Sequence, residues 1–259
     1  MRNATSKFSK LKLFCLGLGA SLSCSVAVAE PPQTAPEELQ QTIAQLEAAA
    51  NSQDVEAIGG FYSPNFTTAE GMSSSALFQA LTQLWERYPD LTYTTELQSW
   101  EREGNELVAD TVTVIRGTGN SNGRSTRLDS TIRSRQYFRD LKLVRQETLA
   151  EQTQLSSGDN PPQVWVNLPE QVQSGEQFNF DVIVDKPLGN DVLLGAATEE
   201  LTASDRYFDP STLELDILPA GGIFKLVNAP DEPGDRWLSA VLVRADGMTI
   251  VTQRVSIEE

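Results

Sequence analysis

The chain has 259 residues, with 20 lysines and arginines against 36 aspartates and glutamates, and a formal net charge of −16. So acidic a protein is a poor partner for nucleic acids and anionic membrane surfaces, because both are polyanions. The absence of histidine excludes Ser-His-Asp and Cys-His catalysis and the imidazole ligands of most zinc, copper and iron sites. We therefore expect no cofactor and no metal site.

The first 29 residues have the pattern of a secretory signal peptide. A basic start is followed by a short apolar run that ends in Ala-Val-Ala, which predicts cleavage after Ala29. The mature chain would then begin at Glu30. Export predicts a periplasmic or extracellular protein, or one of the thylakoid lumen if the source is photosynthetic.

A lipid anchor on Cys24 is the alternative to free secretion. Lipoprotein processing usually requires a branched aliphatic residue three positions before the cysteine, and Ser21 stands there. We therefore favour cleavage after Ala29. Such cleavage also removes Cys15 and Cys24, the two cysteines of the sequence, so the mature protein would contain no disulfide.

Residues 30–155 read as helices followed by strands. Thr34 and Glu37 fit a capping box at the start of a first helix, and a short second helix follows. A third helix carries Leu77, Leu81 and Trp85 on one stripe. Four strand patterns at residues 91–103, 106–117, 124–139 and 141–155 then predict an antiparallel meander.

This order resembles the nuclear transport factor 2-like (SnoaL-like) superfamily over about residues 36–155. The segment "NSQDVEAIGGFY" and the Glu70-Gly71 pair before the third helix contribute to the resemblance. It implies a cone of three helices on a curved antiparallel sheet, with an apolar pocket between them. Some members of this superfamily are isomerases or dehydratases, and others bind a ligand or a partner, often as dimers.

The composition of that pocket follows from strand pairing. A two-residue turn at Gly104-Asn105 pairs Trp100 with Ala109 and Leu97 with Val112, and side chains alternate from there. The predicted pocket residues are Tyr93, Leu97, Asp110, Val112, Arg116, Gln136, Arg145 and Glu147.

Two interpretations of Asp110 remain open. As a buried base beside Tyr93 it would serve an isomerase or dehydratase, since burial raises the pKa of a carboxyl group. As a partner of Arg116 or Arg145 it would be an ordinary ion pair at the sheet rim, which we favour. Trp85 is predicted in the core, and Trp100 on the opposite, wetter face, where a homodimer contact could form.

Residues 156–162 read as a linker, and residues 163–259 as short strands separated by glycine, proline or Asp-Gly. The strands resemble an immunoglobulin-like β-sandwich without its cysteine pair. Asp231, Glu232 and Asp235 could hold calcium, but their spacing fits no known loop, and we favour solvated acids.

The predicted fold class is therefore α+β, an N-terminal cone followed by an all-β sandwich. The predicted function is a secreted or cell-envelope binding protein that holds a small apolar ligand or a protein partner. An isomerase, dehydratase or hydrolase is the alternative, and a structural spacer that dimerises through its sheet face is a third.

Overall fold

The computed structural model describes residues 29–121, 123–185, 192–203, 214–218 and 221–259. Residues 1–28 of the leader, with Cys15 and Cys24, lie outside these ranges, so the signal peptide and the lipid anchor stay predictions.

Helices occupy the beginning of the described chain. Glu37 is the first helical residue, with Pro36 before it, while Thr34 lies in a 3-10 turn and donates its hydroxyl to the carbonyl of Pro31 at 2.9 Å. The predicted capping box is therefore absent. Ser73 caps the third helix by accepting from the amide of Ala76. The helices are α1 (Glu37–Asn51), α2 (Val55–Gly59) and α3 (Ser74–Arg87).

Strands form most of the remainder. The strands of the first half are β1 (Tyr62–Thr68), β2 (Thr92–Glu103), β3 (Glu106–Ser121), β4 (Arg124–Arg139) and β5 (Lys142–Gly158). Those of the second half are β6 (Val164–Asn167), β7 (Gln171–Gln173), β8 (Gln177–Val184), β9 (Leu194–Leu201), β10 (Asp216–Ile217), β11 (Gly222–Asn228), β12 (Gly234–Arg244) and β13 (Gly247–Glu258).

The predicted fold class is wrong, because strands dominate and one sheet runs through both halves. Strands make up 59% of the structure and helices 18%. A ten-stranded sheet has the order β10-β9-β12-β13-β5-β4-β3-β2, with β1 beside β5 and β7 beside β13, and a second sheet has the order β11-β8-β6.

Strand β5 is the reason for this continuity. Its first part pairs with β1, and its second part, from Gln152 to Gly158, pairs with β13. The first three residues of the predicted linker, at 156–158, are therefore ladder residues of the large sheet. In the sequence, the serine and glycine residues at 156–158 look like the end of a strand, so the alternating pattern before them does not reveal that β5 continues.

The helices and the small sheet cover opposite faces of the large sheet. Leu155 belongs to the core beneath the helices, whereas its neighbour Gln154 pairs with Val251, which belongs to the core beneath the small sheet. Adjacent strand residues point to opposite faces. We call the face that carries the helices the helix side, and the other face the outer side.

Single-residue bulges decide which side chains reach the helix side. The turn at Gly104, which has φ +60°, pairs Trp100 with Ala109 as predicted. A bulge between Leu97 and Ser99 then pairs Leu97 with Thr111 instead of Val112. Strands β4 and β5 contain two further irregularities of this kind. Each one reverses the face to which the following residues point.

Candidate ligand-binding site

A row of four cross-strand neighbours crosses the middle of the helix side. Thr95 pairs with Thr113, Thr113 with Ile132, and Ile132 with Glu151. All four are only partly buried, although Thr113 and Ile132 have a paired strand on each side. We call these four residues the middle row. Their partial exposure indicates that packing over the centre of the sheet is incomplete, and we call this less closely covered surface the recess.

The rows on both sides of the middle row are more tightly packed. Toward one end, Tyr93 and Ser130 are buried, and toward the other, Thr111 and Ser134 are buried. The recess is therefore local and does not run the length of the sheet. Its floor contains both apolar and polar groups, because Ile132 lies beside the hydroxyl groups of Thr95 and Thr113. These two hydroxyls lie 3.1 Å apart and hydrogen-bond to each other.

Aromatic side chains close one end of the recess. Trp85 of α3 donates its indole N–H to the hydroxyl of Tyr93 at 3.0 Å, and both residues are buried. Tyr62 contacts Phe66 and Phe78 edge to face, at ring-centroid distances of 4.7 and 5.2 Å. The prediction that Trp85 lies in the core is confirmed.

The sheet separates the predicted pocket residues into two groups. Tyr93, Leu97 and Gln136 lie on the helix side, because they are paired with Ile115, Thr111 and Ala109, respectively. The other five lie on the outer side: Asp110, Val112, Arg116, Arg145 and Glu147. The predicted common face is therefore wrong, and the bulges described above are the physical cause.

Asp110 and Tyr93 cannot act on one substrate, because they point to opposite faces of the same sheet. Asp110 accepts two hydrogen bonds from Arg135, at 2.8 and 2.9 Å, and lies 3.4 Å from the hydroxyl of Ser99. This bidentate pair raises the pKa of the Arg135 guanidinium. The arrangement is the ion pair that we favoured, but its partner is Arg135 and not Arg116 or Arg145.

The other charged residues of the outer-side group form surface ion pairs. Arg116 pairs with Asp129 at 2.8 Å, and Arg145 pairs with Glu147 at 2.5 Å. The guanidinium of Arg145 also lies 3.8 Å from the centroid of the Tyr137 ring.

Trp100 lies on the helix side, contrary to the prediction of an exposed aromatic on the wetter face. It is paired with Ala109 and donates its indole N–H to the hydroxyl of Thr34 at 3.0 Å. Glu30 forms a backbone bridge with Trp100 in both directions. The N-terminal segment therefore covers Trp100 and the edge of β2.

The sequence analysis missed a buried cluster of charge beside the middle row. Arg254 of β13 is 1% exposed and donates to Glu70 at 2.6 Å and to Asp235 at 2.7 Å. Glu151 lies 3.9 Å away and accepts the indole N–H of Trp237 at 3.0 Å. We call Glu70, Glu151, Asp235 and Arg254 the Arg254 cluster.

The two most buried acids of this cluster have opposite pKa shifts. Burial raises the pKa of Glu151, and its hydrogen bond from Trp237 and the charge of Arg254 offset this only in part. Burial also tends to raise the pKa of Glu70, but the charge of Arg254 and its hydrogen bond outweigh this effect, so that the pKa of Glu70 is lowered. Of these two acids, Glu151 is therefore the one whose folded environment favours the protonated form.

A polar cleft of about 330 Å³ opens beside the Arg254 cluster. It lies where β5 leaves β1 and joins β13, so that the strand edge near Leu149 has no neighbouring strand. Asp235 is shared by the cleft and the cluster. The cleft is lined by Ala69, Arg133, Glu147, Thr148, Leu149, Gln171, Asp235 and Ser256.

Within the described ranges, no group of three acidic or cysteine side chains is placed to hold a metal ion. Asp231 and Glu232 are exposed, and Asp235 pairs with Arg254. The helices of the described chain also include none that is long and apolar enough to cross a membrane.

Comparisons with known proteins give two kinds of match. A protein-family model, described as a domain of unknown function (DUF8623), matches residues 159–258. No curated protein matches the sequence.

Several solved structures are similar to part of the chain. A loop-truncation variant of IdmH is 23% identical, with 42% of this chain and 90% of that chain covered and a TM-score of 0.32. A SnoaL-like polyketide cyclase from Agrobacterium tumefaciens is 20% identical, covers 42% and 88%, and has a TM-score of 0.32. A protein with a ketosteroid isomerase-like fold from Catenulispora acidiphila is 14% identical, covers 44% and 85%, and has a TM-score of 0.28. The second of these structures is named SnoaL-like and the third ketosteroid isomerase-like.

Proposed function

We propose that the protein is a secreted or cell-envelope binding protein that holds a small, largely apolar molecule in the recess over the middle row. The observation that carries this proposal is the partial exposure of Thr113 and Ile132. Residues at the centre of a sheet beneath helices are normally buried by close packing. Concave sites with an apolar lining and few polar groups are the usual form of small-molecule sites.

The polar groups of the recess restrict the ligand. Its hydroxyl groups and the Glu151 carboxyl provide hydrogen bonds, while the Trp85 and Tyr93 pair limits its length. We expect an uncharged molecule with one or two oxygen atoms. The acidic chain disfavours an anion.

The experiment is a fluorescence titration with N-phenyl-1-naphthylamine, an uncharged probe whose emission rises in apolar surroundings. Ile132→Trp fills the recess and should abolish the rise, whereas Thr131→Trp, which places the same side chain on the outer side of the same strand, should preserve it. Equal binding by both variants would contradict the proposal. Native mass spectrometry of the wild-type protein would show a retained ligand and the mature N-terminus together.

A second candidate function is an isomerase or dehydratase, and the position of Glu151 favours keeping it. A carboxyl group with a raised pKa at the end of a ligand recess is suited to serve as a general acid or base. In this candidate Glu151 takes the place that the sequence analysis gave to Asp110. A ligand recovered chemically unchanged after incubation supports binding, and a converted one supports catalysis.

The predicted partners and location form part of the same proposal. Export with cleavage after Ala29 would bring the recess into the envelope, where small apolar molecules need carriers. Because Trp100 is covered by the N-terminal segment, a homodimer would have to use the outer side, with its ion pairs, and not this tryptophan.

A further inference from the structure

Large apolar side chains stand exposed on the outward surface of the small sheet. Trp165 of β6 is 60% exposed, and Phe224 and Leu226 of β11 are 54% and 63% exposed. Their strand neighbours Val166, Ile223 and Val227 pack in the core beneath the small sheet. We call Trp165, Ile183, Phe224 and Leu226 the aromatic platform.

Strand pairing brings the platform residues into adjacent rows. Trp165 pairs with Ile183, and Ile183 pairs with Gly222. The ring of Phe224 leans back over Gly222, because a Cβ built there would lie 3.4 Å from Cε2 of the ring. An indole and a phenyl ring therefore flank Ile183, about 10 Å apart across three strands.

Polar side chains lie directly beside the rings. Asn167, Asp181 and Phe224 share the next row, and the Asn167 amide donates to the Asp181 carboxylate at 3.1 Å. Further along, the Gln177 amide donates to Asn228 at 2.8 Å. Carboxylate and amide groups can each accept hydrogen bonds from hydroxyls, and amides also donate them.

The size of the platform argues against a second copy of the chain as its occupant. Three strands of at most eight residues give a surface about 10 Å wide and about 26 Å long, or about 300 Å² with side chains included. A specific protein interface needs about 800 Å² on each partner. Asp181 near the centre of the platform would also meet itself or its neighbours across a twofold axis.

We propose that the aromatic platform binds a neutral glycan chain. The carbon-bound hydrogens of pyranose rings form an apolar face that can stack on Trp165 and Phe224, while the equatorial hydroxyls reach Asp181, Asn167 and the amides. The single carboxylate and the acidic chain exclude polyanionic glycans. This inference is independent of the recess, which lies on the helix side.

The test is affinity electrophoresis of the mature full chain through native gels that contain hydroxyethylcellulose, glucomannan or laminarin, followed by titration with cellohexaose. We expect retardation in at least one gel, and a blue shift of tryptophan emission on titration, since the other three tryptophans are buried or half-buried. Trp165→Ala and Phe224→Ala should each weaken binding at least tenfold. Trp165→Phe should recover part of the affinity.

Leu201→Ala provides the matched control, because Leu201 is 61% exposed on the large sheet, away from the platform. This variant should bind as the wild type does. The proposal is overturned if the wild type is retarded by none of the three glycans, or if Trp165→Ala binds equally well. It is also overturned if light scattering shows a dimer that Trp165→Ala dissociates, because the platform would then be a contact between copies.

Discussion

Replacing Arg254 by methionine tests whether the buried cluster stabilises the joined halves of the molecule. The guanidinium is 1% exposed and bonded to Glu70, whose side chain is 9% exposed, and to Asp235, which is 28% exposed. Breaking a buried pair costs about 3–5 kcal/mol, because an uncompensated charge stays inside. Two donors of Arg254, Nε and Nη2, have no hydrogen-bond partner, and their removal returns about 1 kcal/mol. We therefore expect a loss of about 3 kcal/mol in the free energy of unfolding.

Urea denaturation at pH 7, followed by circular dichroism and tryptophan fluorescence, gives that free energy. A double-mutant cycle with Glu70→Gln isolates the pair: the double variant should recover at least about 1 kcal/mol relative to Arg254→Met, because it removes the buried, unpaired carboxylate. Arg116→Met is the matched control, since Arg116 is 62% exposed in its pair with Asp129, and it should cost at most about 1 kcal/mol. A cost of Arg254→Met no larger than that of the control would refute the reasoning.

Two further predictions concern the same sheet. Glu151→Gln should gain stability over the wild type as pH rises from the ordinary glutamate pKa through the raised pKa of the folded state, because burial opposes ionisation of Glu151; thermal unfolding at pH 4 and pH 8 checks this, and a pH-independent difference would contradict it. Phe138→Ala should lower the free energy of unfolding by about 3–5 kcal/mol, because a ring that is 1% exposed leaves a cavity. The urea midpoint should fall with an unchanged slope, and a changed slope would indicate loss of two-state behaviour instead.

Local patterns in the sequence predicted the third helix and the first hairpin of the first half correctly. The stripe of Leu77, Leu81 and Trp85 identified α3, and Gly104-Asn105 identified the first hairpin and the Trp100–Ala109 pair. These features depend on residues that are near one another in the chain. They required no knowledge of the tertiary structure.

The site could not be predicted with the same success, because a bulge of one residue leaves no trace in composition. The bulge after Leu97 reverses the faces of Leu97 and Tyr93, so that they do not share a face with Asp110 and Val112 as alternation from the turn had predicted. The contact between Arg254 and Glu70 joins residues 184 positions apart. Charge alone does not indicate such a pair among 36 acidic residues.

The double membership of β5 has a consequence for the evolution and handling of this chain. Cleavage of the chain anywhere between residues 142 and 158 would remove a strand from one half or leave an unpaired strand edge on the other. The two halves therefore share strand β5 and cannot be exchanged as separate modules. Any gene fusion or recombination product that contains one half must therefore also contain β5.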